Sequence, residues 1–413
     1  MRAWRRAGRR CVIALIGAAV VGVPIGAFGS VVVGVQLGPA ALPLALPVAG
    51  RAQVRPAAVT CTAPGVCVTA VNVVGPAGAL ARAANETQGR WGWGNRFPLP
   101  FDASGRRQSA ALSSVACSGR GDCVAVGSYI NRKHDTRALI VTERHGKWDA
   151  AQSIELPPGA SPGSAALASV SCPASGACVA VGQYLVRTGA RQALIVIERR
   201  ANWGRARRLA LPPDASLRRG AQRALLDTVR CPAVGDCIAG GSYLTPQRTL
   251  RAMVASETRR VWSRARVLAL PAGAVLKSIA CTRLRTCVGV ASGTAGALTV
   301  VAEVRGRWGH PARLKLPLNA AGHLLASLTS VACVSTGTCM AVGEYATKAG
   351  EAPLVVTETN GRWHPAREVT LPVGSRPGAS LSAVACAPPA VCVAVGRYDD
   401  RAGTHPMVVD LFL

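Results

Sequence analysis

Aromatic and acidic side chains are both scarce in this chain. Only 4% of its 413 residues are Phe, Trp or Tyr, and 20 Asp and Glu stand against 48 Lys and Arg. So few aromatic residues leave little to stack on bases, which argues against a nucleic-acid partner. The scarcity of acids also argues against a catalytic carboxylate pair of the kind that glycosidases use.

The sequence also has neither the hydrophobic periodicity of long helices nor the composition of a disordered chain. The chain has 44 Gly and 27 Pro, which excludes a long coiled coil, and 49% hydrophobic residues, which excludes a disordered chain. The formal net charge of +28 comes almost entirely from arginine, since only five residues are Lys. Two explanations of this charge stay open: an anionic partner, or the codon usage of a GC-rich genome.

The N-terminus has the pattern of an export segment. Five arginines, at positions 2, 5, 6, 9 and 10, precede a run without charge from Cys11 to Gly50. A basic start followed by an apolar stretch predicts export, with the arginines on the cytoplasmic side. We interpret residues 1–36 as an export signal or a retained membrane anchor, and residues 37–413 as the folded domain. The domain is therefore expected outside the cytoplasm, anchored at the extracellular face or secreted.

Cysteine pairs with five residues between them recur seven times after residue 50. In an exported chain such an even set predicts disulfides, and each five-residue loop would place its two cysteines opposite each other in a hairpin. Zinc is the alternative, but zinc sites prefer two to four intervening residues and need four converging ligands. We therefore expect no metal and no cofactor. The predicted disulfide residues are Cys61/Cys67, Cys117/Cys123, Cys172/Cys178, Cys231/Cys237, Cys281/Cys287, Cys333/Cys339 and Cys386/Cys392.

Each cysteine pair belongs to a longer repeat of 50 to 59 residues. An apolar run ending in Glu follows the second cysteine, and Trp stands five residues after that Glu, as in Glu143 and Trp148. Each repeat then closes on Leu-Pro. We interpret a repeat as four strands: A ends at the first Cys, B begins at the second, C ends at Glu, and D runs from Trp to Leu-Pro. Seven such units predict an all-β fold, a seven-bladed β-propeller of four-stranded antiparallel blades with one disulfide per blade.

The seventh repeat has no strand D of its own. The segment Leu44-Ala45-Leu46-Pro47 matches the end of strand D at Leu268-Ala269-Leu270-Pro271. We therefore predict that residues 38–47 complete the last blade, with an apolar linker as the alternative.

The motifs Ser-Val-Ala-Cys, Cys-Val-Ala-Val-Gly-x-Tyr and Glu-x-x-Gly-x-Trp resemble a repeat abundant in secreted actinobacterial proteins of β-propeller type. The resemblance covers residues 58 to 413 and implies a fold and a compartment, without an activity. A weaker similarity to sialidase-like propellers rests on the turn from Thr142 to Trp148, which shares their Gly and Trp.

Residues present in every repeat are expected to be structural. The repeated glutamates would satisfy backbone donors or pair with arginines, and the tryptophans would wedge between blades. Unrepeated basic residues in the D–A and B–C connections would form a basic patch on one face. These candidate ligand-binding residues are Arg106, Arg107, Arg132, Lys133, Arg187, Arg191, Arg218, Arg219, Arg223, Arg248 and Arg251.

The sequence thus favours a monomeric binding or scaffold protein of the cell envelope over an enzyme. Its partner would be an anionic wall polymer, a glycan or a protein, with the membrane reached through the N-terminal segment. No catalytic residue is assigned. The alternative is a sialidase-like hydrolase or lyase with its site in the central funnel.

Overall fold

The computed structural model describes residues 42–43, 53–75, 78–87, 89–93, 96–104, 109–216, 222–293, 296–322 and 326–413. All of them belong to one unit, Gln36–Leu413. Within this part every regular element is a β-strand, and no helix there is long and apolar enough to cross a membrane. The predicted export segment, residues 1–36, lies outside the described residues.

The strands follow the repeats, after a short first strand β1 (Leu42–Pro43). The first repeat contains β2 (Gln53–Ala63), β3 (Val66–Gly75), β4 (Gly78–Thr87) and β5 (Arg90–Trp93). The second contains β6 (Ala110–Gly119), β7 (Asp122–Ile130), β8 (Thr136–Arg144), β9 (Lys147–Trp148) and β10 (Gln152–Ser153). The third contains β11 (Ala160–Ala174), β12 (Ala177–Val186), β13 (Arg191–Arg199), β14 (Asn202–Trp203) and β15 (Arg207–Arg208). The fourth contains β16 (Ala224–Ala233), β17 (Asp236–Leu244), β18 (Leu250–Thr258), β19 (Val261–Trp262) and β20 (Arg266–Val267).

The last three repeats continue the same order. The fifth contains β21 (Val275–Arg283), β22 (Thr286–Ser292), β23 (Thr299–Val304), β24 (Arg307–Trp308) and β25 (Ala312–Arg313). The sixth contains β26 (Ala326–Ser335), β27 (Thr338–Thr347), β28 (Gly350–Thr359), β29 (Arg362–Trp363) and β30 (Arg367–Glu368). The seventh contains β31 (Arg376–Ala387), β32 (Val391–Asp399) and β33 (Thr404–Phe412).

Within each repeat, strands A, B, C and D are antiparallel neighbours in that order. This repeated four-stranded sheet is consistent with the blade of a β-propeller.

All seven predicted disulfides are formed, which confirms the cysteine pairing. The register of the A–B hairpin explains why, because it places the two cysteines of a pair directly opposite each other. The pairs for which this register is seen are Cys61 with Cys67, Cys117 with Cys123, Cys281 with Cys287, Cys333 with Cys339, and Cys386 with Cys392.

Every strand A carries a β-bulge four residues before its first cysteine. In the second repeat the register shifts between Leu112 and Ser114, so Ser113 is the extra residue. The bulge brings the strand A backbone close to strand B: a Cβ placed on Gly127 would lie 1.9 Å from the carbonyl oxygen of Ala111. The glycine of the repeated Cys-Val-Ala-Val-Gly motif is therefore required by this close approach. The bulged residues are Ala57, Ser113, Ala168, Asp227, Lys277, Thr329 and Ser382.

Strand D differs from the prediction, because it is not continuous from Trp to Leu-Pro. In the second repeat it consists of two short pieces, β9 and β10, which both pair with β8. Between the pieces the N–H of Asp149 still bonds the carbonyl oxygen of Thr142, at 2.8 Å. Strand D is the outer strand, and in the fifth and sixth repeats Pro311 and Pro365 stand in this break, where they cannot donate to a ladder.

The core consists of apolar clusters between neighbouring repeats. Seven such clusters exist among the described residues, and each draws side chains from two adjacent repeats. One of them joins the first repeat to the seventh, with Val54 and Val71 packed in the same cluster as Val393 and Val408. The repeated tryptophans contact these clusters, as Trp262 does between the third and fourth repeats.

The first strand in the chain pairs with the last. Leu42 lies opposite Val408 and Pro43 lies opposite Met407, so β1 is the fourth strand of the sheet of β31, β32 and β33. Residues 38–41 and 44–47 lie outside the described residues, so the full extent of the predicted strand stays a prediction.

Candidate functional site: two arginine-lined clefts

The connections between strands form two faces. The D–A connections and B–C turns meet on one of them, which we call the loop face: Tyr129, at the end of a strand B, donates a 2.8 Å hydrogen bond to Asp102 of a D–A connection. The A–B and C–D turns meet on the other, the turn face, where the N–H of Gly146 bonds the carbonyl oxygen of Gly121 at 2.9 Å.

The described members of the predicted basic patch all lie on the loop face. They occupy the B–C turns and the adjoining ends of strands in the second to fourth repeats, and all except Arg191 are exposed. They are Arg132, Lys133, Arg187, Arg191, Arg223, Arg248 and Arg251. The remaining four, Arg106, Arg107, Arg218 and Arg219, lie outside the described residues.

Part of this loop-face charge is already engaged by the protein. Nη1 of Arg251 lies 2.8 Å from Oδ2 of Asp214, and Nη1 of Arg191 donates to Oε1 of Gln183 at 3.0 Å. The structure brings Arg191 and Arg223 together, since the two residues form a parallel β-bridge. Of the others, Arg132 and Lys133 are neighbours in one turn, and the rest belong to the turns and strand ends of the third and fourth repeats.

The second cysteine of each disulfide is buried, although Cys178, Cys237 and Cys287 also belong to the lining of the clefts described below. Cys67 and Cys339 are 1% exposed and Cys392 is 0% exposed. These three side chains pack in the apolar clusters between repeats and line neither of the clefts described below. Their role is the one predicted for them, that of disulfide residues, and they are buried because strand B is covered on both faces where it begins. The same burial holds for Cys123, Cys178, Cys237 and Cys287.

A second basic surface, which the sequence did not predict, lies on the turn face. A cleft of about 600 Å³ opens between the third and fourth repeats. Its lining includes Arg199, Arg200 and Arg260, together with the buried Glu198 and Glu257.

A second cleft, of about 710 Å³, opens between the fourth and fifth repeats. Arg266, Arg285, Arg305 and Arg307 line it around the buried Glu303. No arginine of either cleft makes a salt bridge to a described acid. Their positive charge is therefore not compensated by a direct ion pair within the described residues.

The cleft arginines stand at turn positions that favour other residues. Arg260 has φ of 67°, Arg285 of 60° and Arg305 of 51°, all in the left-handed region. The C–D turns, with two left-handed residues, prefer Asn-Gly, which the sixth repeat has at Asn360 and Gly361. The A–B turn of Arg285 is left-handed at one residue only, where the sixth repeat has Gly337. A left-handed non-glycine residue costs about 1 kcal/mol of folding free energy, so each of these arginines adopts a locally unfavourable backbone conformation.

The buried glutamates beside the clefts are electrostatically influenced by the arginines without pairing to them. Burial raises the pKa of Glu257, and Arg199 and Arg260 oppose that rise. The same holds for Glu303, whose pKa is raised by burial and lowered by Arg266 and Arg285.

The expectation that the repeated glutamates pair with arginines is wrong for the described residues, since no such pair comes within 4.0 Å. The physical reason is that these carboxylates are buried at the end of strand C, while the guanidinium groups project from the turns. The backbone role has an example in Glu198, which accepts a hydrogen bond from the backbone of Cys178.

The groups that would serve catalysis lie in separate repeats. Tyr243 donates to Asp214 at 2.8 Å, Tyr345 to Glu368 at 2.7 Å, and His405 lies 2.8 Å from Asp400. The first two interactions tie a strand B tyrosine to the segment that precedes its own repeat or to its own strand D, which is a structural role. The letters Gly159-Ala160-Ser161-Pro162-Gly163 match the nucleophile pattern of hydrolases, but a β-strand, β11, begins there, and no helix follows as that pattern requires.

The chain matches no protein-family model and no curated protein sequence. Among solved structures, that of U3-55K is 10% identical with a TM-score of 0.54, covering 90% of this chain and 98% of that one. A sialidase from Trypanosoma rangeli is 7% identical with a TM-score of 0.46, and the fucose-specific lectin from Aleuria aurantia is 11% identical with a TM-score of 0.41. The alignments cover 91% and 78% of this chain, and 58% of the sialidase and 97% of the lectin. At these identities the similarity concerns the fold alone.

Proposed function

We propose that this chain is an exported, monomeric seven-bladed β-propeller that binds an anionic polymer of the cell envelope. The observation that carries the binding function is the pair of arginine-lined clefts on the turn face of the third to fifth repeats. The polymer would present repeated phosphate or carboxylate groups to these guanidinium groups.

Closure of the ring is supported by the number of junctions. Seven repeats in an open row have six junctions, whereas seven apolar clusters between repeats are present, including one between the first and seventh. A single cavity is also lined by strand A of every repeat. Pairing of β1 with β33 adds a strand from the start of the chain to the last sheet.

Export is supported by the seven disulfides, because such bonds persist in oxidising compartments and are rare in the cytosol. Residues 1–36 would direct that export, as a cleaved signal or as an anchor at the outer face of the membrane.

An anionic polymer suits the clefts better than a neutral ligand. Arg199, Arg200 and Arg260 in one cleft and Arg285 and Arg305 in the other extend over three consecutive repeats. A long chain of negative charges would contact both clefts, and guanidinium groups bind phosphate and carboxylate oxygens in a bidentate manner. The basic residues of the loop face remain a second proposed surface, for the same class of polymer.

The test uses substitutions that the other repeats already contain at the same positions. Arg260→Gly copies Gly361, Arg285→Gly copies Gly337, and Arg305→Asn copies Asn360. The triple variant should fold at least as well as the natural protein, because Gly and Asn adopt the left-handed conformation of these three positions at a lower cost than Arg. Its affinity for immobilised polyphosphate and polyuronate should fall roughly tenfold at low salt, from the sum of three partly screened ion pairs.

The control removes the same charge from the loop face, through Arg187→Ser, Arg223→Ser and Arg248→Gly. Equal losses in both variants would mean that net charge alone attracts the polymer and would refute the clefts as the site. A loss confined to the loop-face variant would move the site to the predicted patch. Binding to neutral dextran that does not respond to salt would overturn the anionic class altogether.

A further inference from the structure

The first strands of all seven repeats line one cavity of about 260 Å³ along their inner edges. Most of the lining residues are apolar, but Thr60, one arginine and a set of five further residues with hydroxyl groups also line the cavity. The five hydroxyls of this set share one position, three residues before the first cysteine of a repeat. They belong to Ser114, Ser169, Thr228, Ser278 and Ser330, and the guanidinium to Arg230.

Each of these hydroxyl oxygens accepts a hydrogen bond from the backbone of the next repeat. Ser169 accepts from the N–H of Val229 at 3.1 Å, and Thr228 accepts from the N–H of Ile279 at 3.1 Å. The oxygens of Ser114, Ser278 and Ser330 do the same at 3.2 to 3.3 Å. No described group accepts a hydrogen bond from these five hydroxyls, so their O–H donors remain free for a ligand.

Arg230 is the only cation at its position in the repeat. The residue just before the first cysteine is Thr60, Ala116, Ser171, Ala280, Ala332 or Ala385 in the other repeats. Nε of Arg230 lies 3.5 Å from the carbonyl oxygen of Ile279, and no described carboxylate lies within 4.0 Å of its guanidinium. Although part of its surface remains accessible along the cavity, desolvation lowers the pKa of this guanidinium.

The neighbouring charges do not neutralise Arg230. Asp227 lies on the same strand, but the charge that acts on its carboxyl is that of Lys277 in the next repeat. Oδ2 of Asp227 has no hydrogen-bond partner among the described residues and is buried. The cavity therefore contains a guanidinium without a counter-ion and a set of free hydroxyl donors.

We propose that Arg230, together with hydroxyls that line the same cavity, forms a binding site for one small oxyanion of the phosphate or sulfate type. A guanidinium offers paired N–H donors that match two oxygens of such an anion, and hydroxyl donors complete its coordination. A metal cation would be repelled by Arg230, and a neutral ligand would leave a desolvated charge uncompensated. The site is separate from the clefts, which lie on the turn face, and it does not depend on the proposed function.

The experiment measures binding of inorganic phosphate by titration calorimetry in a chloride buffer, with the Arg230→Ala variant as comparison. Four other repeats carry Ala at this position, at residues 116, 280, 332 and 385, so the variant is expected to fold. The natural protein should bind one phosphate per chain inside the cavity, and the variant should bind it at least about tenfold more weakly, because a charge-assisted interaction is lost. Equal affinity in the two proteins would overturn the proposal.

Two further measurements locate the anion. Crystals soaked in selenate should show an anomalous peak beside Arg230, and a peak only in the clefts would overturn the proposal. The variant with Arg260→Gly, Arg285→Gly and Arg305→Asn should keep its phosphate affinity. Loss of phosphate binding in that variant, with retention in Arg230→Ala, would place the anion in the clefts instead.

Discussion

The junction between the seventh and first repeats differs from the other six. Each of those six is joined by side-chain hydrogen bonds to the backbone of the next repeat, as between Ser278 and Val331 or between Asn72 and Leu112. Among the described residues, no side-chain hydrogen bond joins the seventh repeat to the first. At the other six junctions the two repeats are consecutive in the chain. At the junction of the seventh repeat with the first, which we call the seam, they are not, yet the seam has fewer side-chain hydrogen bonds.

The cause lies in one position of the repeat. Ser or Thr stands three residues before the first cysteine in the second to sixth repeats, whereas Ala383 stands there in the seventh. The first repeat also has alanine there, Ala58, but Asn72 ties it to the second repeat instead. The seam therefore relies on the apolar cluster of Val54, Val71 and Val393 and on the pairing of β1 with β33. Apolar contacts and the two-residue pairing of β1 are the main contributions to its stability. We therefore expect the seam to be sensitive to changes in residues 37–50, which contain β1.

The largest effect should come from removing that segment. Replacing residues 37–50 by a Gly/Ser stretch of equal length would break the pairing with β33 and uncover Val408 and Met407, which are buried. The expected loss is roughly 3 to 5 kcal/mol of unfolding free energy, from a few backbone hydrogen bonds and newly exposed apolar surface. Chemical denaturation of the purified protein measures it, and an unchanged midpoint would mean that this segment is only a linker.

Among the six junctions between consecutive repeats, the one between the fourth and fifth is unusual because Asp227 and Lys277 place charged groups there. Burial raises the pKa of Asp227 to about 6, from an ordinary value of 3.8. The folded protein therefore binds this proton more tightly than the unfolded chain does. The associated stability is complete below about pH 4 and is lost as the pH rises through about 6.

Replacing Asp227 by Ala, the residue that the third repeat has as Ala168, should remove this penalty. Unfolding free energy at pH about 7.5 should increase by up to about 3 kcal/mol, since one pKa unit corresponds to about 1.4 kcal/mol. At pH about 4 the two proteins should differ far less, which urea titrations at both pH values would check. In the otherwise natural chain, Lys277→Ala should shift the pH dependence upward, because Lys277 lowers the pKa of Asp227. If Asp227→Ala and Lys277→Ala both kept the pH dependence of stability of the natural protein, Asp227 would not be the group responsible for it.

The sequence was sufficient for the features that repeat and insufficient for those set by three-dimensional geometry. The spacing of cysteines, Glu143 and Trp148 predicted the strands and disulfides, because each recurs in nearly every unit. The bulge at Asp227 has no letter pattern of its own, since Ala, Ser, Thr, Lys and Asp all occupy it. That bulge changes which residues of strand A face the next repeat and the cavity, so the location of Arg230 was not foreseen.

The clefts were missed for a different reason. The signal was present in the turns Arg199-Arg200, Arg259-Arg260 and Arg305-Gly306-Arg307, but charges were assigned only to the loop face. Strand topology does place these turns together on the opposite face. Their convergence into clefts depends on the packing between adjacent repeats, which no single repeat encodes.

The smallest effects should come from the hydroxyl position itself. Ser278→Ala removes the acceptor for the N–H of Val331, which is held at 3.3 Å, and the first and seventh repeats already contain Ala there. The expected cost is about 1 to 2 kcal/mol, because a backbone donor between two sheets loses its partner. Thermal denaturation measures the change, and a cost near zero would mean that water replaces the hydroxyl.

The reciprocal substitution tests whether the seam lacks only this hydrogen bond. Ala383→Ser would introduce at the seam the hydroxyl that Ser330 provides one junction earlier, where it accepts from the N–H of Val384 at 3.2 Å. If the seventh and first repeats pack as their neighbours do, the new hydroxyl should face the backbone of Val59 and add less than about 1 kcal/mol. A loss of stability would instead mean that strand A of the first repeat is offset from the regular spacing. The seam would then be a geometrically distinct junction, and Ala383 would be required for close contact there.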